Sequence, residues 1–232
     1  MIQRLKVFLR EGPVYMKGFI GSGLILASFL VSAIPFHDRL GRHYSIFTFF
    51  ISELGQFGQS TLAVVFNVGL FTGGLLLIAF MIGLRRHFAS RMGRLGVVIG
   101  ALSAACAAMV GLLPMNILYP HFTVASGFFY GCMAAILLFT MALIRGDGTS
   151  LPRWTILPGL AVFFIFGEYH VVTSEVFNLH TIGTIPDFIA VVPIIRPASF
   201  WALTFYEWLA VLAMNAWVIM MSVLLWNNKR AG

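Results

Sequence analysis

Residues 61–84 read TLAVVFNVGLFTGGLLLIAFMIGL, twenty-four positions without a charge, and Arg85-Arg86 closes the run. A helix needs about 20 apolar residues to cross a bilayer core, so this stretch predicts a transmembrane helix with a basic flank. Working outward from it, five further stretches approach or exceed that length: 15–34, 95–114, 122–144, 154–174 and 201–226. The expected fold is all-α, a single domain over 1–232 made of six transmembrane helices. Long connections, 35–60 and 175–200, lie on one side, and short ones, 85–94 and 145–153, lie on the other. No connection is long enough for a separate folded domain. A chain that is 59% apolar and 10% charged is an integral membrane domain rather than a soluble core with an anchor.

Charge sets the expected orientation. The side of the N-terminus holds Arg4, Lys6, Arg10, Lys17, Arg85, Arg86, Arg91, Arg94, Arg145, Arg153, Lys229 and Arg230, and the other side only Arg39, Arg42 and Arg196. Twelve against three places both termini in the cytoplasm of a multi-pass protein of the cytoplasmic membrane. Acids and histidines run the opposite way: Asp38, Glu53, Glu168, Glu175, Asp187 and Glu207, with His37, His43, His121, His170 and His180, fall on or near the outer face. The net charge of +7 is no argument for nucleic acid. These cations sit beside helix ends, where they fix topology and attract anionic headgroups, so the expected partners are membrane lipids. MIQRLKVFLR ahead of an apolar run resembles a signal peptide, with Val31-Ser32-Ala33 as its cleavage site. The run from Phe19 to Ile34 is at the long end for such a segment and Pro35 follows it, so an uncleaved first span is expected.

Two outer segments, Tyr44–Ile51 and Phe188–Ile195, are apolar rather than polar. They belong in the interface or among the helices, as a lid over a cavity or as plain interfacial packing. Gly69/Gly73, Gly96/Gly100 and Gly127/Gly131 place small residues one turn apart, which allows close helix approach. Cys106 and Cys132, both mid-span, read as small hydrophobes.

The site candidates come from depth. Glu207 lies six residues inside span six counted from Trp201, about 9 Å below its outer end. Glu168 is as deep in span five, Asn67 in span two and Ser28 in span one, with Ser126 slightly shallower in span four. Intramembrane carboxylates are costly and mark either function or a structural network. Two in one low-dielectric pocket would not both ionise. Glu168 and Glu207 are the candidate acid, base or metal carboxylates, and His121 the second proton-handling group. Ser52 and Glu53 complete a candidate catalytic set, while Asn67, His170 and His180 are candidate substrate-binding residues. Ser52 with His121 and Glu53 or Glu168 could form a nucleophile, base and orienter, but no G-x-S-x-G elbow accompanies it. No H-E-x-x-H, H-x-x-x-H or C-x-x-C motif occurs. A zinc site built from His121, His170 or His180 with Glu168 is chemically allowed without motif support, and the cofactor stays open.

Tyr44-Ser45 leading to Ile51-Ser52-Glu53-Leu54-Gly55, then Phe66-Asn67-Val68-Gly69, Pro114 and His121-x3-Ala125-x2-Phe128-Phe129 resembles a bacterial and archaeal membrane family, domain of unknown function nine hundred and ninety-eight. The resemblance covers nearly all six spans, and I-S-[DE]-L-G is its most specific part. Glu207 matches a position where that family tends to have Glu-Arg, but Trp208 follows here, which removes a local ion pair. More distantly, I-S-[DE]-x-G before a span is similar to the Frag1/DRAM/Sfk1 group, some of whose members act in lipid-anchor remodelling or lipid organisation. The nearer resemblance implies the six-span fold and a bacterial or archaeal membrane, without an activity.

Three expectations follow. The first is an extracytoplasmic polar cavity that binds or modifies a lipid or lipid-linked substrate. The second is a non-catalytic accessory subunit packed on a membrane-protein partner, suggested by glycine-lined spans and 23 phenylalanines. The third is a proton-coupled transporter using Glu168 and Glu207, which lacks a matching polar path through the inner half.

Overall fold

Pro13, with φ at −57°, leads directly into helix α1, Val14–Ala33, because its ring already holds a helix-compatible angle. Five more helices follow: α2 Ala63–Leu84, α3 Arg91–Leu112, α4 Leu118–Arg145, α5 Ile156–Leu179 and α6 Ala202–Ala231. This computed structural model describes residues 12–146, 151–179 and 195–231, together with Phe8 and Asp187. Each of the six helices is long and apolar enough to cross a membrane. Among the described residues the extended structure is limited to an isolated bridge between His37 and His43. Ser90 Oγ accepts the Gly93 N–H at 3.0 Å and caps α3, and Gly146, at φ 69°, closes α4 in the left-handed conformation.

Short connections make sequence neighbours pack side by side. Each helix contacts the next, and α6 returns against α1, so the six close into a ring. The start of α1 and the end of α6 lie at one end of it, where Lys229 Nζ sits 5.9 Å from the Tyr15 ring centroid. The opposite end carries the 34–62 connection, and the two are called here the terminal end and the loop end. Glycines bring α1, α2 and α3 close together. A Cβ on Gly73 would fall 2.5 Å from the Ile25 side chain, and one on Gly74 would fall 2.8 Å from the Ala108 backbone. On α4, a Cβ on Gly127 or Gly131 would meet Cys106 or Ser103 of α3 at 2.8 Å. Cys106 and Cys132 are both free thiols.

The apolar segment at Tyr44–Ile51 folds down over the ring. Phe49, Phe50 and Ile51 are buried, and the Trp201 N–H donates to the Phe47 carbonyl at 2.7 Å. Below it Phe29 stacks on Phe66 with centroids 5.1 Å apart and meets Trp208 edge-on at 5.8 Å. The second apolar segment, apart from Ile195, lies outside the described residues, as does His180.

Candidate functional site

The sequence Ile51-Ser52-Glu53-Leu54-Gly55 forms a short 3-10 helix at the loop end. Such a segment has few bonds of its own, so its backbone is satisfied from outside. Ile51 donates its N–H to Glu207 Oε2 at 2.9 Å, and Phe50 donates its N–H to Glu53 Oε1 at 2.9 Å. The Asn67 amide donates to the Gly55 carbonyl at 2.9 Å. Tyr44 donates its hydroxyl to the Phe50 carbonyl at 3.0 Å and accepts the Trp208 indole N–H at 3.0 Å. Burial, reinforced by the nearby Glu207 carboxylate, pushes the Tyr44 phenol well above its ordinary value, so it stays a donor. Glu207 and Trp208, adjacent on α6, thus hold the same 3-10 helix from below.

Glu53 is fully engaged. Arg196 Nη2 lies 2.9 Å from each of its oxygens, and the Gln59 amide donates to Oε2 at 3.2 Å. Burial pushes this carboxyl above its usual range, while the Arg196 guanidinium, the Phe50 N–H and the Gln59 amide pull against that. Arg196 also stacks 4.4 Å over the Phe49 ring. Sequence reasoning missed this pair. Its signal was Arg196 itself, one of only three cations on the outer side of the expected topology.

Two cavities meet beneath the 3-10 helix. The central one, inside the ring, has apolar walls that include Phe29, Phe66, Leu70, Val211 and Met214. The loop-end one is bounded by aromatic and polar side chains, among them Phe122, Tyr130, Tyr169, His170 and Thr173. Ser52, His121, Ala125, Phe129 and Glu207 line both. His121 opens α4, where its ring Nδ1 lies 2.7 Å from the Leu113 carbonyl. A carbonyl only accepts, so Nδ1 carries the hydrogen and the neutral ring keeps its Nε2 lone pair. Ser52 Oγ contacts Met115 Sδ at 3.5 Å. The junction therefore offers a carboxyl, an imidazole lone pair and a hydroxyl.

The other candidates are distributed around it. Asn67 is buried and holds the 3-10 helix, with Oδ1 left without a partner. His170 lines the loop-end cavity, stacked on Tyr130 at 4.0 Å, and its buried Nε2 has no partner among the described residues. Glu168 is exposed on α5 and lines neither cavity. On that helix Val162 and Phe166 point inward, while Tyr169, His170 and Thr173 border the loop-end cavity, leaving position 168 on another face. Ser28 turns back on its own helix, donating to the Ile25 carbonyl at 2.8 Å. Asn215, a lone amide in span six that the depth argument passed over, lines the central cavity. Among the described residues no group of three or more His, Cys, Asp or Glu side chains stands close enough to hold a metal ion. His121, His170 and Glu168 accordingly form no shared ligand set.

A sequence model of the family described as "Protein of unknown function (DUF998)" matches residues 19–224, from α1 into α6. No curated protein and no solved structure matches the chain.

Proposed function

The chain belongs to the DUF998 family, as a multi-pass membrane protein, and we propose that it binds a lipid or lipid-linked amphiphile, with the tail in the central cavity and the polar group at Ser52, His121 and Glu207. One observation carries this reading: an apolar cavity within the ring and a more polar cavity at its loop end share one small polar cluster, Ser52, His121 and Glu207, in their walls. The shape suits a molecule with one apolar and one polar part.

The energetics say which part is recognised. Bilayer tails are as apolar as the cavity wall, so moving a chain from bilayer to cavity gains little from hydrophobicity. Discrimination falls to the polar cluster. There a hydrogen bond made out of reach of water is worth about 1 kcal/mol, and about 1.5–3 kcal/mol when one partner is charged. His121 Nε2 and Glu207 are equally suited to moving a proton on a bound polar group, which would extend binding to modification.

Purification from membranes in mild detergent, followed by extraction and mass spectrometry, tests the reading. A stoichiometric lipid is expected with the natural sequence and a loss of about tenfold in Val211→Trp, whose indole would fill the central cavity. Equal lipid recovery from both proteins would overturn it.

A further inference from the structure

The polar groups at the cavity junction point to the chemistry of the headgroup, an inference that rests on the lipid-binding reading above. Among the described residues, no lysine or arginine lines either cavity. At this end Arg196, a cation with a buried side chain, is committed to both oxygens of Glu53 and to the face of Phe49. What the junction presents instead is acceptor capacity. Glu207 receives the Ile51 N–H on Oε2. His121 donates from Nδ1 to Leu113, and its neutral ring then keeps the lone pair on Nε2. Ser52 adds a hydroxyl beside them.

A phosphate would bring three acceptor oxygens and negative charge against this set, with no cation or cluster of N–H donors among the described residues to receive it. Hydroxyl groups suit it, because each can donate to Glu207 or His121 and accept from Ser52. The loop-end cavity widens from the junction between aromatic faces. Phe129 stacks on Tyr169 at 4.3 Å and Tyr130 on His170 at 4.0 Å, surfaces against which the C–H face of a polyol or sugar ring can lie. The buried His170 Nε2, without a partner among the described residues, gives a further hydroxyl something to bond.

We propose that the loop-end cavity receives an uncharged, hydroxyl-bearing headgroup, of the acylglycerol or glycosyl-lipid class, whose hydroxyls bond Glu207 and His121 while its single chain occupies the central cavity.

The test uses the full chain in phosphatidylcholine nanodiscs and a tritiated monoacylglycerol carrying a diazirine in its chain. Unlabelled amphiphiles of the same chain length, headed by glucose, phosphate or trimethylammonium, compete for photolabelling. The glucoside is expected to compete at a concentration about tenfold or more below the other two, the discrimination that one or two lost buried hydrogen bonds produce. Glu207→Gln keeps an acceptor for Ile51 and should fold. It and His121→Ala are expected to shrink that preference at least about threefold. A phosphate or ammonium competitor that equals or beats the glucoside overturns the headgroup assignment. If all three compete equally and the label maps to central-cavity peptides, the chain alone is recognised: the assignment falls and the lipid reading survives. If no label reaches peptides of α4 or α6 that line the cavity, the lipid reading itself falls.

Discussion

Glu53 and Glu207 sit at the same end of one molecule and do different work. Glu53 is enclosed by Arg196, the Phe50 N–H and Gln59, whereas Glu207 gives one oxygen to Ile51 and faces both cavities. Removing one member of a buried ion pair leaves the other charge uncompensated and typically costs about 3–5 kcal/mol. Arg196→Met should therefore lower the thermal unfolding midpoint sharply. Adding Glu53→Gln to it should restore part of the loss, since the stranded charge is gone. Midpoints of the two variants in one detergent check this, and a double variant less stable than the single would contradict it. The depth of both Glu207 and Glu168 is written in the sequence, because rise per residue is fixed. Which way each side chain points is not. It depends on which face of α5 meets α4 and α6, and apolar residues all round the helix conceal that face.

The 3-10 helix at Ile51–Gly55 is the element that joins site to scaffold. Asn67 of α2 holds its last carbonyl, and a Cβ on Gly55 would run into that same amide and the Phe66 ring. Asn67→Ala leaves a buried carbonyl unpaired, at a cost of about 1–3 kcal/mol. Gly55→Val should cost at least as much through displacement of Asn67. Both should also weaken lipid retention, since Ser52 and the Ile51 contact to Glu207 shift with the helix. Unfolding midpoints and co-purified lipid, measured on the same samples, check the coupling: full lipid occupancy in a destabilised Asn67→Ala protein would separate site from scaffold. The six helices themselves are legible from uncharged runs such as 61–84. The 3-10 helix is not, because five residues carry no period, and what defines it is hydrogen bonds to residues as distant as Glu207.

At the scale of the whole molecule, ring closure explains why the cavity is central and why it opens toward the loops. Six helices joined in sequence return α6 to α1, so the start of α1 and the end of α6 share one end with Lys17, Arg85, Arg86, Arg91, Arg94, Arg145, Arg153 and Lys229. Asp38, Glu53 and Glu207 stand at the other. Lysine and arginine in short loops resist translocation whereas acids contribute little, so the terminal end is expected in the cytoplasm and the cavity mouth in the outer half of the membrane. A green fluorescent protein fused after Gly232 should fluoresce, and alkaline phosphatase at the same place should stay inactive. Phosphatase fused in the 34–62 connection should be active. Replacing Arg85, Arg86, Arg91 and Arg94 together by alanine should bring about a measurable fraction of C-terminal phosphatase activity. A phosphatase-active C-terminus in the unmodified protein would invert the molecule. The proposed headgroup cavity would then draw its ligand from the cytoplasmic leaflet, with the site geometry unchanged and the available lipids different.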